Sequence, residues 1–190
     1  MNSGNLVVIA VSTGGPLTLK ALFKELPPLD AAFVIVLHIT PQMDYRIANG
    51  LATAASMPVT LAEDGECLKS GRIYLAPGGF HLKLEGNRRV ALCDGARVNY
   101  VQPAADVTML SLGRPLKGKL IGIVLTGMGR DGAEGIRHIH QVGGVTIAQD
   151  QHSSTIYGMP KAAAQTGAVD YVLPLKKIAG KLMELLDQTG

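Results

Sequence analysis

The stretch Asn5-Leu6-Val7-Val8-Ile9-Ala10-Val11-Ser12-Thr13-Gly14-Gly15-Pro16 decides the fold. An unbroken apolar run rich in β-branched residues stops at a serine, and two glycines and a proline follow. Such a short, bounded run reads as a buried parallel strand. Pro16 suits the first turn of a helix, where a missing N–H costs nothing. The pattern after it puts Leu17, Leu19, Leu22, Phe23 and Leu26 on one predicted helical side. Ser12 therefore falls in a strand-to-helix turn, among backbone N–H groups with no partner in the helix. A hydroxyl nucleophile can be exposed there beside a site suited to negative charge.

The pattern repeats outward from this turn. Apolar strands are predicted at 31–37, 72–76, 120–125, 145–148 and 168–173, with a short candidate at 59–62. Helical segments are predicted at 42–55, 104–112, 133–142, 158–166 and 175–187. Residues 81–84 and 88–92 flank Glu85-Gly86-Asn87 and read as an antiparallel hairpin. Residues 94–103 read as a loop. Alternating strands and helices imply right-handed crossovers. The expected fold is a doubly wound α/β domain, with a mainly parallel sheet, one antiparallel hairpin and helices on both faces. Its 190 residues are enough for a single sizeable core, and 47% hydrophobic against 17% charged residues suits a sheet buried on both faces.

Bulk properties exclude several classes. A net charge of +3, with 4% aromatic residues and no Trp, gives no sign of nucleic-acid binding. Cys67 and Cys93 are expected to be reduced thiols in apolar surroundings, and two cysteines alone make no metal site. Residues 6–11 are too short to span a bilayer and lack a basic region ahead of them, so no signal peptide or membrane insertion is expected, and the cytoplasm is the expected compartment. The Ser12 turn is not G-x-G-x-x-G and no Walker lysine follows it, which argues against a nucleotide site.

Three reactive side chains fall just beyond predicted strand ends: Ser12, His38 and Asp131. Ligands of such sheets sit beyond the carboxyl ends of the strands. Serine needs a base to become a nucleophile, histidine can serve near neutral pH, and a carboxylate orients the histidine. Each residue also has a plain reading. Ser12 could cap the helix near Pro16, Asp131 could cap the helix near Ala133, and His38 could be a hydrogen-bonded core residue. His81, His138, His140 and His152 read as surface or structural.

Further blocks sharpen the reading: Ile73-Tyr74-Leu75-Ala76-Pro77-Gly78, Leu125-Thr126-Gly127-Met128-Gly129-Arg130-Asp131-Gly132-Ala133, Thr146-Ile147-Ala148-Gln149-Asp150 and Gly158-Met159-Pro160-Lys161-Ala162. With Ser12-Thr13-Gly14-Gly15 and His38, they make residues 6–175 resemble the catalytic domain of the CheB-type chemotaxis protein-glutamate methylesterases. The resemblance implies Ser12 as nucleophile, His38 as general base and Asp131 as its orienter. It implies backbone oxyanion donors at Met128 and Thr13. It also implies a substrate: methylated glutamates on the cytoplasmic domain of methyl-accepting chemoreceptors, with deamidation of certain glutamines, and no metal or organic cofactor.

The chain departs from the family pattern at Leu37-His38, where Gln-His is common, and at Gln102-Pro103-Ala104, where Arg-Pro-Ser is common. The resemblance adds a regulatory partner, a phospho-receiver domain or response regulator. Few residues precede the first strand, so a single catalytic domain over 1–190 without a receiver domain is expected. It should act as a monomer, constitutively, without response to a phosphoryl donor. The site should be an open groove with exposed apolar residues, Met43 and Met128 being the candidates. Other readings are an esterase or amidase of the same fold acting on another protein or a small ester, and a non-catalytic receptor-binding scaffold.

Overall fold

The computed structural model describes residues 4–187. Seven strands form one sheet: β1 (Leu6–Val11), β2 (Ala32–Leu37), β3 (Val59–Leu61), β4 (Arg72–Leu75), β7 (Leu120–Val124), β8 (Val145–Gln149) and β9 (Tyr171–Leu173). Their order is β3-β4-β2-β1-β7-β8-β9, and every neighbouring pair is parallel. β5 (His81–Glu85) and β6 (Arg89–Cys93) make the expected antiparallel hairpin. The helices are α1 (Gly15–Lys24), α2 (Asp44–Ala52), α3 (Ala105–Leu110), α4 (Ala133–Gln141), α5 (Met159–Gln165) and α6 (Leu175–Asp187).

The central strands are apolar throughout because both faces are covered. Val7, Ile9 and Val11 of β1 pack with α1, α2 and α6. The alternate residues Leu6, Val8 and Ala10 pack on the opposite face with α3, α4, α5 and the hairpin. This is the period-two alternation of a strand with no solvent side. Beyond β1 the winding reverses: β2, β4 and β3 lie on one side, and β7, β8 and β9 on the other. The carboxyl end of β1 is thus the switch point at which doubly wound sheets take their ligands.

Several boundaries shift for local reasons. The helix predicted at 42–55 starts at Asp44, because Met43 N–H turns back to the Thr40 carbonyl. The strand predicted at 168–173 shortens to Tyr171–Leu173, because the Asp170 carboxylate takes the Thr146 N–H and hydroxyl. Leu17 is a correction: it is 77% exposed rather than on the buried side of α1. At 100° per residue it points nearly opposite Leu19. Both cysteines are free, yet Cys67 is exposed rather than in apolar surroundings. Among the described residues no helix is long and apolar enough to cross a membrane.

Phe33 of β2 is fully buried and meets Phe23 of α1 edge-on, with ring centroids 5.5 Å apart. Phe33→Ala should lower stability by about 3–5 kcal/mol, through lost burial and the cavity left behind. Urea unfolding of both proteins measures the difference.

Candidate active site

The register of β1 on β2 sets the first contact. Their last matched pair is Val11 with Leu37, so Ser12 and His38 are the next residues on each strand. His38 N–H still donates to the Val11 carbonyl at 3.3 Å. Neighbouring strands lie about 4.8 Å apart, so the two side chains begin side by side. Beyond Ser12 the chain turns at once: Gly15 N–H donates to the Ser12 carbonyl at 2.7 Å. Gly14 has φ +81°, and a Cβ there would lie 2.6 Å from Thr155 Oγ1. Gly14 is the residue that precedes α1, and no side chain caps that helix. The capping reading of Ser12 is thereby removed. Its hydroxyl is half-buried and, among the described residues, has no hydrogen-bond partner, His38 included.

The imidazole of His38 is fixed from the other side. Its Nε2 lies 2.7 Å from Asp131 Oδ2. Taken as Nε2–H donating to the carboxylate, this leaves Nδ1 free to act as base. Asp131 comes from the loop after β7, on the far side of β1 from His38, and is 2% exposed. Its Oδ2 also accepts Ala105 N–H at 2.6 Å, and its Oδ1 accepts Asp106 N–H at 3.0 Å and Asn99 Nδ2 at 2.9 Å. So Asp131 does cap a helix, but α3 rather than its own α4, whose start is marked by Gly132. Burial alone would raise the Asp131 pKa. The hydrogen bonds from His38, Asp106 and Ala105 outweigh it and hold the carboxyl below its ordinary value.

Asp106 returns the exchange. Its Oδ1 accepts Gly132 N–H at 3.0 Å and Gly135 N–H at 2.8 Å, at the start of α4, and its Oδ2 accepts Asn99 Nδ2 at 2.8 Å. Burial raises its pKa, and the nearby Asp131 charge adds to that, against the lowering effect of its donors.

The loop after β7 closes the site opposite His38. Gly127 packs directly on Ser12: a Cβ there would lie 2.8 Å from Ser12 Cβ and 2.3 Å from Met159 Sδ. The loop is held by buried Gln149, whose Oε1 accepts Thr126 N–H at 2.8 Å. Thr126 Oγ1 in turn donates to the Thr13 carbonyl at 3.0 Å. Among the described residues, the N–H groups of Thr13 and Met128 donate to no protein group. A cleft of about 540 Å³ adjoins, lined by His38, Ile39, Met43, Arg97, Tyr100 and Gln102 among others. Met128 is 70% exposed and Met43 39%, so neither is core.

Ser12, His38 and Asp131 are thus drawn to one end of the sheet. His81 instead bonds the Ala96 carbonyl and Ala104 N–H, and His138 the Leu112 carbonyl. His140 pairs with Asp170 at 3.4 Å. No cluster able to hold a metal ion occurs among the described residues. Asn99, Asp106 and Gln149 were not singled out by the sequence reading. Gln149 stood in a recognised block without a role, and Asn99 stood in a segment read only as loop.

A doubly wound α/β domain with serine, histidine and a buried aspartate at its switch point has the arrangement of a serine hydrolase. The family model for CheB methylesterase matches residues 7–182, and the chain belongs to that family. It is 40% identical over 185 residues to a protein-glutamate methylesterase/protein-glutamine glutaminase of Pyrococcus horikoshii, covering 95% of this chain and 50% of that protein. It is 41% identical over 188 residues to one of Thermotoga maritima, covering 97% and 55%. The chain spans about half the length of the curated relatives it matches. The crystal structure of the Thermotoga maritima CheB methylesterase catalytic domain is similar with a TM-score of 0.91 and 40% identity, over 96% of this chain and 99% of that one.

The low pKa of Asp131 has a signed consequence. A carboxyl whose native pKa is depressed stabilises the fold above its unfolded value, and that stability is lost as pH falls through the native pKa. Asp131→Asn should cost on the order of 1.5–3 kcal/mol at neutral pH, and the deficit should shrink as the wild type is acidified through the carboxylate range. Urea unfolding of both proteins between neutral and acid pH checks it; a deficit independent of pH would refute the assignment.

Proposed function

We propose that this chain is a methylesterase catalytic domain that demethylates glutamate methyl esters on the cytoplasmic domain of methyl-accepting chemoreceptors, and deamidates glutamines there. The reading rests on the 2.7 Å bond between His38 and Asp131, with Ser12 next to His38 in strand register. Family membership and the names of its relatives support the substrate class.

The chemistry follows from the groups present. Nδ1 of His38 takes the Ser12 proton as the oxygen attacks the ester carbon. Asp131 stabilises the imidazolium that forms. The Thr13 and Met128 N–H groups receive the oxyanion, each contributing on the order of 3 kcal/mol. As the C–O or C–N bond breaks, the imidazolium gives its proton to the leaving methoxy oxygen or amide nitrogen, which departs as methanol or ammonia. Water then attacks the glutamyl ester with His38 again as base. No metal or organic cofactor takes part.

The surroundings suit a protein substrate. Leu17, Tyr100 and Met128 are 77%, 93% and 70% exposed, and the cleft beside His38 is lined by Tyr100 and Met43. Exposed apolar residues of this kind suit a receptor helix, or a receiver domain or response regulator that regulates access. The flexible thioethers can adapt to either. The reading places the enzyme in the cytoplasm, where the receptor segment lies.

Gln102 favours a second reading. It lines the cleft wall, and its buried Nε2 has no partner among the described residues. Glutamine in place of the arginine common in the family changes the character of that wall, which would suit a different protein or small ester as substrate. Methanol release from a methylated chemoreceptor cytoplasmic fragment separates the two. Wild type should release methanol, and Ser12→Ala should be slower by about a thousandfold or more. Turnover of small esters with none of the receptor would favour the second reading, and undiminished release by Ser12→Ala would overturn both.

A further inference from the structure

Asn99 sits where two buried carboxylates meet. Its Nδ2 donates one hydrogen to Asp106 Oδ2 at 2.8 Å and one to Asp131 Oδ1 at 2.9 Å. Asp106 and Asp131 are 4% and 2% exposed. Two carboxylates this close repel unless donors stand between them. Backbone N–H groups satisfy much of each, but among the described residues Asn99 is the one side chain joining both.

The backbone holds Asn99 at this post. Val98 and Val101 exchange N–H···O bonds of 3.2 and 3.0 Å, closing a two-residue hairpin. Its central residues, Asn99 and Tyr100, have φ +52° and +67°. Two positive φ values are the mark of a type I′ turn, which asparagine tolerates well at the first position. The turn aims the amide inward and leaves Tyr100 at the tip, 93% exposed.

We propose that Asn99 is a positioning residue for catalysis, a bridging donor that holds Asp131 with Oδ2 turned toward His38 and separated from Asp106. This rests on the reading of Ser12, His38 and Asp131 as the reacting groups. Among the described residues Asn99 hydrogen-bonds neither Ser12 nor His38, and it acts through Asp131. The titratable groups facing Asp131 are His38 from the end of β2 and Asp106 from α3. His81 of β5 is bound to Ala104 and Ala96 nearby, and Arg130 pairs outward with Glu134 at 3.2 Å.

The sign of the pH effect follows. Without the amide, the charge on Asp131 is less neutralised. His38 then accepts a proton more readily, and so does Asp131 itself. Either change removes the neutral imidazole paired with an ionised carboxylate, so the acid limb of kcat moves to higher pH. The elevated proton affinity of buried Asp106 makes the pair still more prone to share a proton.

Asn99→Gly and Asn99→Asp test this, since glycine and aspartate both tolerate the turn and neither offers the amide. The control is Asn87→Gly: Asn87 also has a positive φ, +60°, and among the described residues its side chain bonds Gly113 alone, at 2.9 and 2.8 Å, away from the site. Both Asn99 variants should lose about tenfold in kcat with KM nearly unchanged. Their acid limbs, and the His38 titration followed by NMR, should move to higher pH. Asn87→Gly should change neither. Wild-type kcat and an unmoved acid limb in Asn99→Gly would overturn the proposal, as would an equal shift in the control. The NMR titration needs no substrate, so it reads the Asn99 effect even if wild type fails to demethylate a receptor, an outcome that would count against the proposed function instead.

Discussion

A buried carboxylate must find enough donors to replace the water it has lost, or it neutralises. Among the described residues Asp131 finds four: His38, Ala105 N–H, Asp106 N–H and Asn99. These come from the end of β2, the start of α3 and the 98–101 turn. One ionised group therefore fixes the relative positions of three segments far apart in sequence. The same four bonds hold its charge in place and give the imidazole its orientation. In the proposed mechanism, structure and chemistry draw on a single set of hydrogen bonds, so neither can be altered alone.

The sheet supplies the rest with few special devices. β1 lies between β2 and β7, so residues following all three strands meet over its carboxyl end. Strand register sets Ser12 beside His38 without any side-chain bond between them. The close approach of Gly127 to Ser12, and the hold of Gln149 on Thr126, then fix the loop beside the serine. Two helices starting at this end are stabilised by each other's acids: Asp131 serves α3, and Asp106 serves α4. Either carboxylate lost would leave N–H groups buried and unpartnered in its neighbour's helix.

The sequence made most of the scaffold legible because a strand buried on both faces has a plain signature. Val7 to Val11 and Phe33 to Leu37 could hardly be solvent-facing, and the turn after each was marked by Ser12-Thr13-Gly14-Gly15 and by His38. Leu17 lies next to apolar residues in sequence but about 200° around the helix from Leu19, so proximity misplaces it where angle does not. Asp131 was legible as a residue of interest, but its actual capping partner was not, since capping across a fold leaves no local spacing to read. Asn99 was hidden for the same reason. Its neighbours Val98 and Tyr100 give no Asn-Gly signal, and its amide matters only when α3 and α4 bring two acids together. The family blocks pointed to the right loops, while the reason for Gln149 within its block, and for Asp106 outside them all, became visible only in three dimensions.

The central claim is that Ser12 is a nucleophile activated by an imidazole that Asp131 holds. A fluorophosphonate, which phosphonylates activated serines, tests it without any assumption about the natural substrate. Intact-mass and peptide mass spectrometry should find one adduct, on Ser12, in the wild-type protein. Labelling should slow by orders of magnitude in His38→Ala and in Asp131→Ala. Failure of Ser12 to label, or labelling at the wild-type rate in His38→Ala, would contradict the account.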